Sequence, residues 1–257
     1  KYIADALESI RNEKQYLSIE LIVVDAVSKD KTLEVLKQYP DVVDILISEP
    51  DNGQSSAYNK AFKIARGAYF MWLCSDDVLI RDSFKNLREV LNSGMHKWIA
   101  FNTVILSSNK VPMKFLSGIK PPNFFPKKIH HFVDSPSSIF HRSVYKKIGP
   151  VDESLHYVMD LDYWYRIIES GISFVRYNEY VYGFRMHSDS KTGSLGYRLR
   201  ESNNIGSLAR DSESKFIENK YKLSSHCFMC KFIVKVLKLR PSLLVDLYNT
   251  YRHKNEL

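Results

Sequence analysis

Cysteine is scarce: Cys74, Cys227 and Cys230 are the only three in 257 residues. Three thiols cannot build the disulfide framework of a small secreted scaffold, so a reducing compartment fits best. Glycine (10) and proline (9) are also few, which excludes collagen-like and low-complexity chains. No run of 18 apolar residues occurs, so no ordinary membrane-spanning helix is expected. No secretory leader is read at the start. The chain opens on Lys1 and runs straight into YIADALESI, and an upstream segment is expected to be missing.

Acidic residues are the minority, 29 against 37 Lys and Arg, for a formal charge of +8. The excess is local. Positions 198–257 hold 12 basic and 6 acidic residues, leaving 25 and 23 for the first 197. A basic tail suits an anionic partner such as a membrane surface, a phosphorylated lipid or a nucleic acid, and a solvated Lys-rich helical surface explains it equally well. What remains is globular in proportion, 44% hydrophobic and 26% charged, far from a disordered composition.

The first two-thirds alternate helix and strand. Tyr2 to Arg11 carries Ile3, Ala6, Leu7 and Ile10 at helical spacing, and IELIVVD (19–25) is a β-branched run ending on a carboxylate. A helix is predicted over 32–39, a strand over 42–48, and a helix over 54–65 stopped by Gly67. AYFMWL (68–73) is a third strand, ending in Cys74-Ser75-Asp76-Asp77. A helix over 81–91 and a strand over 98–106 follow. This alternation predicts an α/β fold with a mostly parallel sheet and helices on both faces, where ligands sit beyond the carboxyl ends of strands. Lys110 to Lys128, with four prolines and Gly118, reads as a long binding loop. Short helices are predicted over 143–148 and 160–170, and a strand over 172–177. Beyond Gly196 the pattern is helical only, with Phe228, Phe232, Ile233, Val236, Leu237 and Leu239 at helical spacing. A domain over 1–195 and a basic helical extension over 196–257 are therefore expected.

Three segments could carry chemistry. Asp76 and Asp77 follow a buried strand. Adjacent carboxylates repel unless a cation intervenes, and Mg²⁺ or Mn²⁺ bridging to a diphosphate meets that need; capping of the next helix by Ser75 or Asp76 is the alternative. In Met159-Asp160-Leu161-Asp162, residues i and i+2 do not share a helix face. One carboxylate can thus face a cleft as a general base, while the other caps or pairs with Arg166 at i+4. In Arg185-Met186-His187-Ser188-Asp189, the histidine suits a metal or phosphate, or a structural role. The lone Cys227-x-x-Cys230 sits in an amphipathic pattern and reads as helix packing.

Taken together, four ordered segments resemble family 2 glycosyltransferases: SIELIVVDAVSKDKT, SEPDNGQSSAYNKAFKIARGAYFMWLCSDD, SSIFHRSVYKKIGPVDESLHYVMDLDYWYRI and FRMHSDSKT. The resemblance covers roughly residues 2–192. It implies a GT-A fold, a nucleotide-sugar donor (a UDP-sugar first), an Mn²⁺ or Mg²⁺ ion, and inverting transfer to a hydroxyl of a glycan or lipid-linked acceptor in surface polysaccharide synthesis. On the matching positions it implies that Asp25 contacts the base, Asp76 the ribose or metal shell, and Asp77 the metal, with His187 completing that site. Asp160 would be the base, and Asp51, Asn59 and Lys60 would line the donor side. A cytoplasmic enzyme, peripheral on the inner membrane face, is expected, with no nucleic-acid partner.

The sequence departs from the family's pattern in three places. The family's first strand should lie just before Tyr2, so the sheet is expected to lack a central strand. After Asp25 stand Ala26-Val27, where Val27 disfavours positive φ. Ser75 replaces the first acid of a strict DxD. Two other classes compete: a metal-dependent nucleotidyl- or phosphotransferase, which would not need Asp160, and a non-catalytic basic membrane- or nucleic-acid-binding protein, which would not need Asp77.

Overall fold

The run WIAFNTVIL offers no polar face to water, which suits a strand covered on both sides. In the computed structural model of the chain, which describes residues 1–116, 137–172, 174–191 and 205–221, this run is the central strand. In chain order the elements are α1 (Ile3–Glu13), β1 (Ile22–Asp25), α2 (Thr32–Leu36), β2 (Ile45–Ser48), α3 (Gln54–Ile64), β3 (Tyr69–Phe70), β4 (Val78–Leu79), α4 (Ser83–Ser93), β5 (Trp98–Leu106), β6 (Pro112–Leu116), β7 (Ser138–His141), α5 (Arg142–Ile148), α6 (Met159–Glu169), β8 (Val175–Arg185) and α7 (Ile205–Lys220).

Six strands form one sheet in the order β3-β7-β5-β8-β4, with β6 alongside the second half of β5. β1 and β2 form a separate parallel pair. The architecture is α/β with flanking helices, as the alternation predicts, but the sheet is mixed and not mostly parallel. Among the described residues only β1–β2 and β5–β8 run parallel; β3–β7, β5–β7, β5–β6 and β4–β8 are antiparallel. Three of the strands making those antiparallel pairs leave no periodic trace in the sequence. β4 is two residues long, β6 is largely exposed and starts on a proline inside the predicted loop, and β7 is four residues.

Two apolar clusters hold the layers together. One packs α1 and α4 against the sheet through Leu7, Ile10, Phe84, Leu87, Ile99 and Phe101. The other is aromatic: Trp72 stacks on Tyr58 at 4.9 Å and leans on Trp164 at 5.0 Å, which stacks on Trp98 at 5.2 Å. Each fully buried ring of this size stabilises by roughly 1.5–3 kcal/mol, and these rings fix α6 on the sheet. Ile217 and Tyr221, which lie beyond position 196, belong to the same aromatic core. At Gly183 a Cβ would lie 2.8 Å from Leu106 and Val78 side-chain methyls, so a larger residue would have to push those side chains of β5 and β4 aside. Among the described residues no helix is long and apolar enough to cross a membrane. The rest of the predicted loop beyond Leu116, the 228–239 helical pattern and Cys227/Cys230 lie outside the described residues.

Candidate active site

Beyond Phe70 the chain leaves β3, passes Trp72, and turns at Cys74, whose carbonyl accepts the Asp77 N–H at 3.1 Å. The turn leads into β4 and not into a helix. Helix α4 starts only at Ser83, and its first N–H groups are taken by Glu13, so helix capping by Ser75 or Asp76 does not occur. Asp77 is 1% exposed. Its carboxylate accepts from the Tyr182 hydroxyl at 2.5 Å and the Arg185 backbone N–H at 2.7 Å. Burial pushes its pKa up to about 7 against those two hydrogen bonds. Asp76 is the more open of the pair, and its Oδ2 lies 2.9 Å from His187 Nε2. The His187 ring leans on Tyr2 at 4.7 Å, and its Nδ1 is buried with no hydrogen-bond partner among the described residues.

Cys74, which the sequence reading does not single out, joins this group. Its Sγ and the two carboxylates lie within 4.8 Å of one another, a set that could hold a metal ion. The Cys74 thiol accepts from Gln54 at 3.1 Å, and burial pushes its pKa up to about 12. It is therefore a neutral thiol and a weak ligand. The oxygens of Asp76 and Asp77 are the hard donors that Mn²⁺ or Mg²⁺ prefers, with the His187 imidazole adjacent.

Across from this lip, α6 begins with Met159-Asp160. Asp160 Oδ1 accepts the Leu161 N–H at 2.7 Å, and a carboxylate is favoured at a helix N-terminus. Asp162, two residues on, points the other way. It is fully buried and receives Arg166 Nε at 2.9 Å, Lys220 Nζ at 2.7 Å and the Tyr221 hydroxyl at 2.7 Å. The i,i+2 argument thus separates the two faces, and the i+4 pair with Arg166 forms.

Both lips open on one cleft of about 750 Å³, lined by Cys74, Asp76, Asp77, Asp160 and Lys191 together with Leu21 to Val24 and Trp72. Among the described residues β1 is hydrogen-bonded on one side only, to β2, and its residues Ile22, Val23 and Val24 line this cleft. The other expected site residues lie outside the lining. Asp25 accepts from Ser28 N and Ser48 Oγ; burial alone would raise its pKa, and these bonds hold it below the usual range. The turn between them puts Val27 at φ 60°, a conformation a β-branched residue disfavours. Asp51 accepts the Gly53 N–H at 2.8 Å, shaping the start of α3. Asn59 ties α3 to Val151 and Glu153, and Lys60 donates to Pro50 O and pairs with Glu49.

The proteins that this chain resembles in sequence or fold point the same way. The chain is 27% identical over 214 residues to an uncharacterized glycosyltransferase of Rickettsia typhi; this covers 78% of the chain and 64% of that relative, so the chain spans less than two-thirds of its length. It is 21% identical over 150 residues to the poly(ribitol-phosphate) beta-N-acetylglucosaminyltransferase TarS of Staphylococcus aureus, covering 57% of the chain and 26% of TarS. The TarS crystal structure superposes with a TM-score of 0.57 at 16% identity, over 88% of the chain and 42% of TarS. The mannosyltransferase PcManGT of Pyrobaculum calidifontis gives 0.55 at 14% identity, over 93% and 76%. These likenesses establish the GT-A fold. The family described as glycosyl transferase family 2 matches residues 1–149, more than half of the sequence, and the chain belongs to that family.

Proposed function

We propose that this chain is a glycosyltransferase that moves a sugar from a nucleoside-diphosphate sugar, a UDP-sugar first, onto a hydroxyl of a glycan or lipid-linked acceptor, with inversion and with Mn²⁺ or Mg²⁺, in surface polysaccharide synthesis. The observation that carries this reading is the facing of Asp76 and Asp77 with Asp160 and Lys191 across one cleft. A second support is that PcManGT has been solved with GDP-Man and Mn²⁺, and TarS with UDP-GlcNAc. A third is the charge of +8, which suits a polyanionic acceptor such as a ribitol-phosphate polymer or an anionic membrane surface.

The chemistry follows from where charge develops. The acceptor hydroxyl gives its proton to Asp160 as its oxygen attacks the anomeric carbon from the face opposite the diphosphate. The bond from that carbon to the phosphate oxygen breaks, and its electron pair stays on the diphosphate. The sugar passes through an oxocarbenium-like state, as in glycoside hydrolysis, and a single displacement inverts the anomeric centre. Lys191, whose Nζ donates to His156 O at 2.8 Å, places a cation beside the leaving group. A divalent ion held by Asp76 and Asp77, when bound, would neutralise the diphosphate. His187 would orient Asp76 through the 2.9 Å contact.

The test is a thermal-shift series with UDP-, GDP- and dTDP-sugars, with and without Mn²⁺. One nucleotide class should stabilise the chain only with the ion, and Asp76→Asn should remove the effect. Ion-independent stabilisation, equal in the variant, would remove the metal from the mechanism.

A further inference from the structure

The N-cap residue of helix α6, Val158, makes no side-chain cap hydrogen bond. The cap arrives from far along the chain. Glu213, on α7, accepts the backbone N–H groups of His156 at 3.0 Å, Tyr157 at 2.8 Å and Val158 at 3.2 Å. One carboxylate thus gathers three successive donors at the positive end of a helix dipole, in charge-assisted bonds. A second tie lies one turn away, where Lys220 and Tyr221 reach Asp162. Helix α7 therefore grips the first turn of α6 on both sides of Asp160.

Packing does not require the Glu213 contact. Ile217 and Tyr221 bury α7 in the aromatic core, and the Asp162 pair fastens its end. Glu213 instead spends its bonds on the backbone of 156–158, and His156, Tyr157 and Asp160 all line the cleft. From the cleft side, Lys191 donates to His156 O, so the same peptide is held from two directions. This segment and Glu213 lie outside the 1–149 family match. Resting on the reading of Asp160 as the base, we infer that Glu213 is a positioning residue: it fixes the 156–158 backbone and so sets the direction in which the Asp160 carboxylate meets the acceptor hydroxyl. A misplacement of about 1 Å at a reacting group costs on the order of 10²-fold in rate, so the anchor acts on turnover more than on binding.

The experiment has two arms on the whole chain. Amide exchange of Glu213→Ala should rise about tenfold or more over 156–161 and stay at wild type in α3. Unchanged exchange at 156–161, or a uniform rise across the chain, overturns the anchor. Turnover is read as UDP release from UDP-GlcNAc or GDP release from GDP-mannose, with Mn²⁺. Glu213→Ala should lose about 10- to 10²-fold in kcat while donor KM stays within about twofold, and Glu213→Gln, which keeps an accepting oxygen, should recover part of the loss. Wild-type kcat in Glu213→Ala beside an inactive Asp160→Asn overturns the positioning role and leaves the base reading standing. Wild-type kcat in Asp160→Asn overturns both.

Discussion

Asp77 and Asp162 are each a fully buried carboxylate next to a partner that lines the cleft, yet their surroundings differ in kind. Among the described residues, Asp77 is hydrogen-bonded by neutral donors, a tyrosine hydroxyl and a backbone N–H, and the Arg185 charge acts on it without a direct ion pair. Asp162 meets two cations and a tyrosine hydroxyl. The first is charged at a cost, and burial lifts it to about 7. Such a carboxylate gains when a cation approaches, which suits the lip proposed to hold a metal. The second already has its cations, and its work is to fasten α6 and α7. Adjacent acids in the sequence thus hide two different uses of charge, ligand attraction on one lip and architecture on the other.

The comparison is broken most directly by the same substitution at both positions. Asp162→Asn leaves Arg166 and Lys220 without their anion. Breaking a buried pair costs about 3–5 kcal/mol, and because both cations are partly exposed the low end, about 3 kcal/mol, is expected in urea unfolding. Asp160→Asn, two residues before Asp162 and in the cleft lining, should lower turnover by roughly 10²-fold or more with donor affinity nearly intact; steady-state kinetics with a donor that binds in the thermal-shift series decides it. A variant with wild-type turnover removes Asp160 from the chemistry. Asp77→Asn should cost only about 1 kcal/mol without metal, since an amide oxygen can accept from Arg185 N and the Tyr182 hydroxyl can turn to accept from the amide. If it destabilises more than Asp162→Asn, the contrast between the lips is wrong.

Much of this was legible in the sequence because the relevant physics is local. The run over 98–106 is apolar on both faces and forms a strand with the predicted bounds. Helix α3 ends at Ile64, one residue before its predicted end at Ala65, and Asp160 and Asp162 part company because i and i+2 lie on different helix faces. What escaped depends on contacts between distant residues. Glu213 meets His156 across 57 positions and Tyr182 meets Asp77 across 105, and no spacing rule announces either. The short strands β4, β6 and β7 carry no apolar run or alternation that marks them in the sequence, and each antiparallel pairing involves one of them, so those pairings were invisible. Val27 shows the converse: the local rule against positive φ in a β-branched residue holds as an energy, of order 1–3 kcal/mol, yet the Asp25–Ser28 turn overrides it.

A third buried carboxylate tests the contrast most finely. Glu13, at the end of α1, is wholly buried and accepts backbone N–H groups from Asp82 at 2.7 Å and Phe84 at 2.8 Å, with no cation among its hydrogen-bond donors in the described residues. It therefore belongs with Asp77, not with Asp162. Burial raises its pKa above the ordinary glutamate value, and the two N–H bonds only partly offset this. The folded state then holds the Glu13 proton more tightly than the unfolded chain does. Its contribution to stability is complete below the unfolded pKa and is lost as pH rises through the higher folded value. Glu13→Gln is neutral throughout and lacks that loss. The stability difference between wild type and variant, taken from urea midpoints at a series of pH values, should shift toward the variant as pH rises from about 4. A shift toward wild type would show that two backbone donors suffice to hold a buried anion. The cations around Asp162 would then be needed for joining helices and not for keeping its charge.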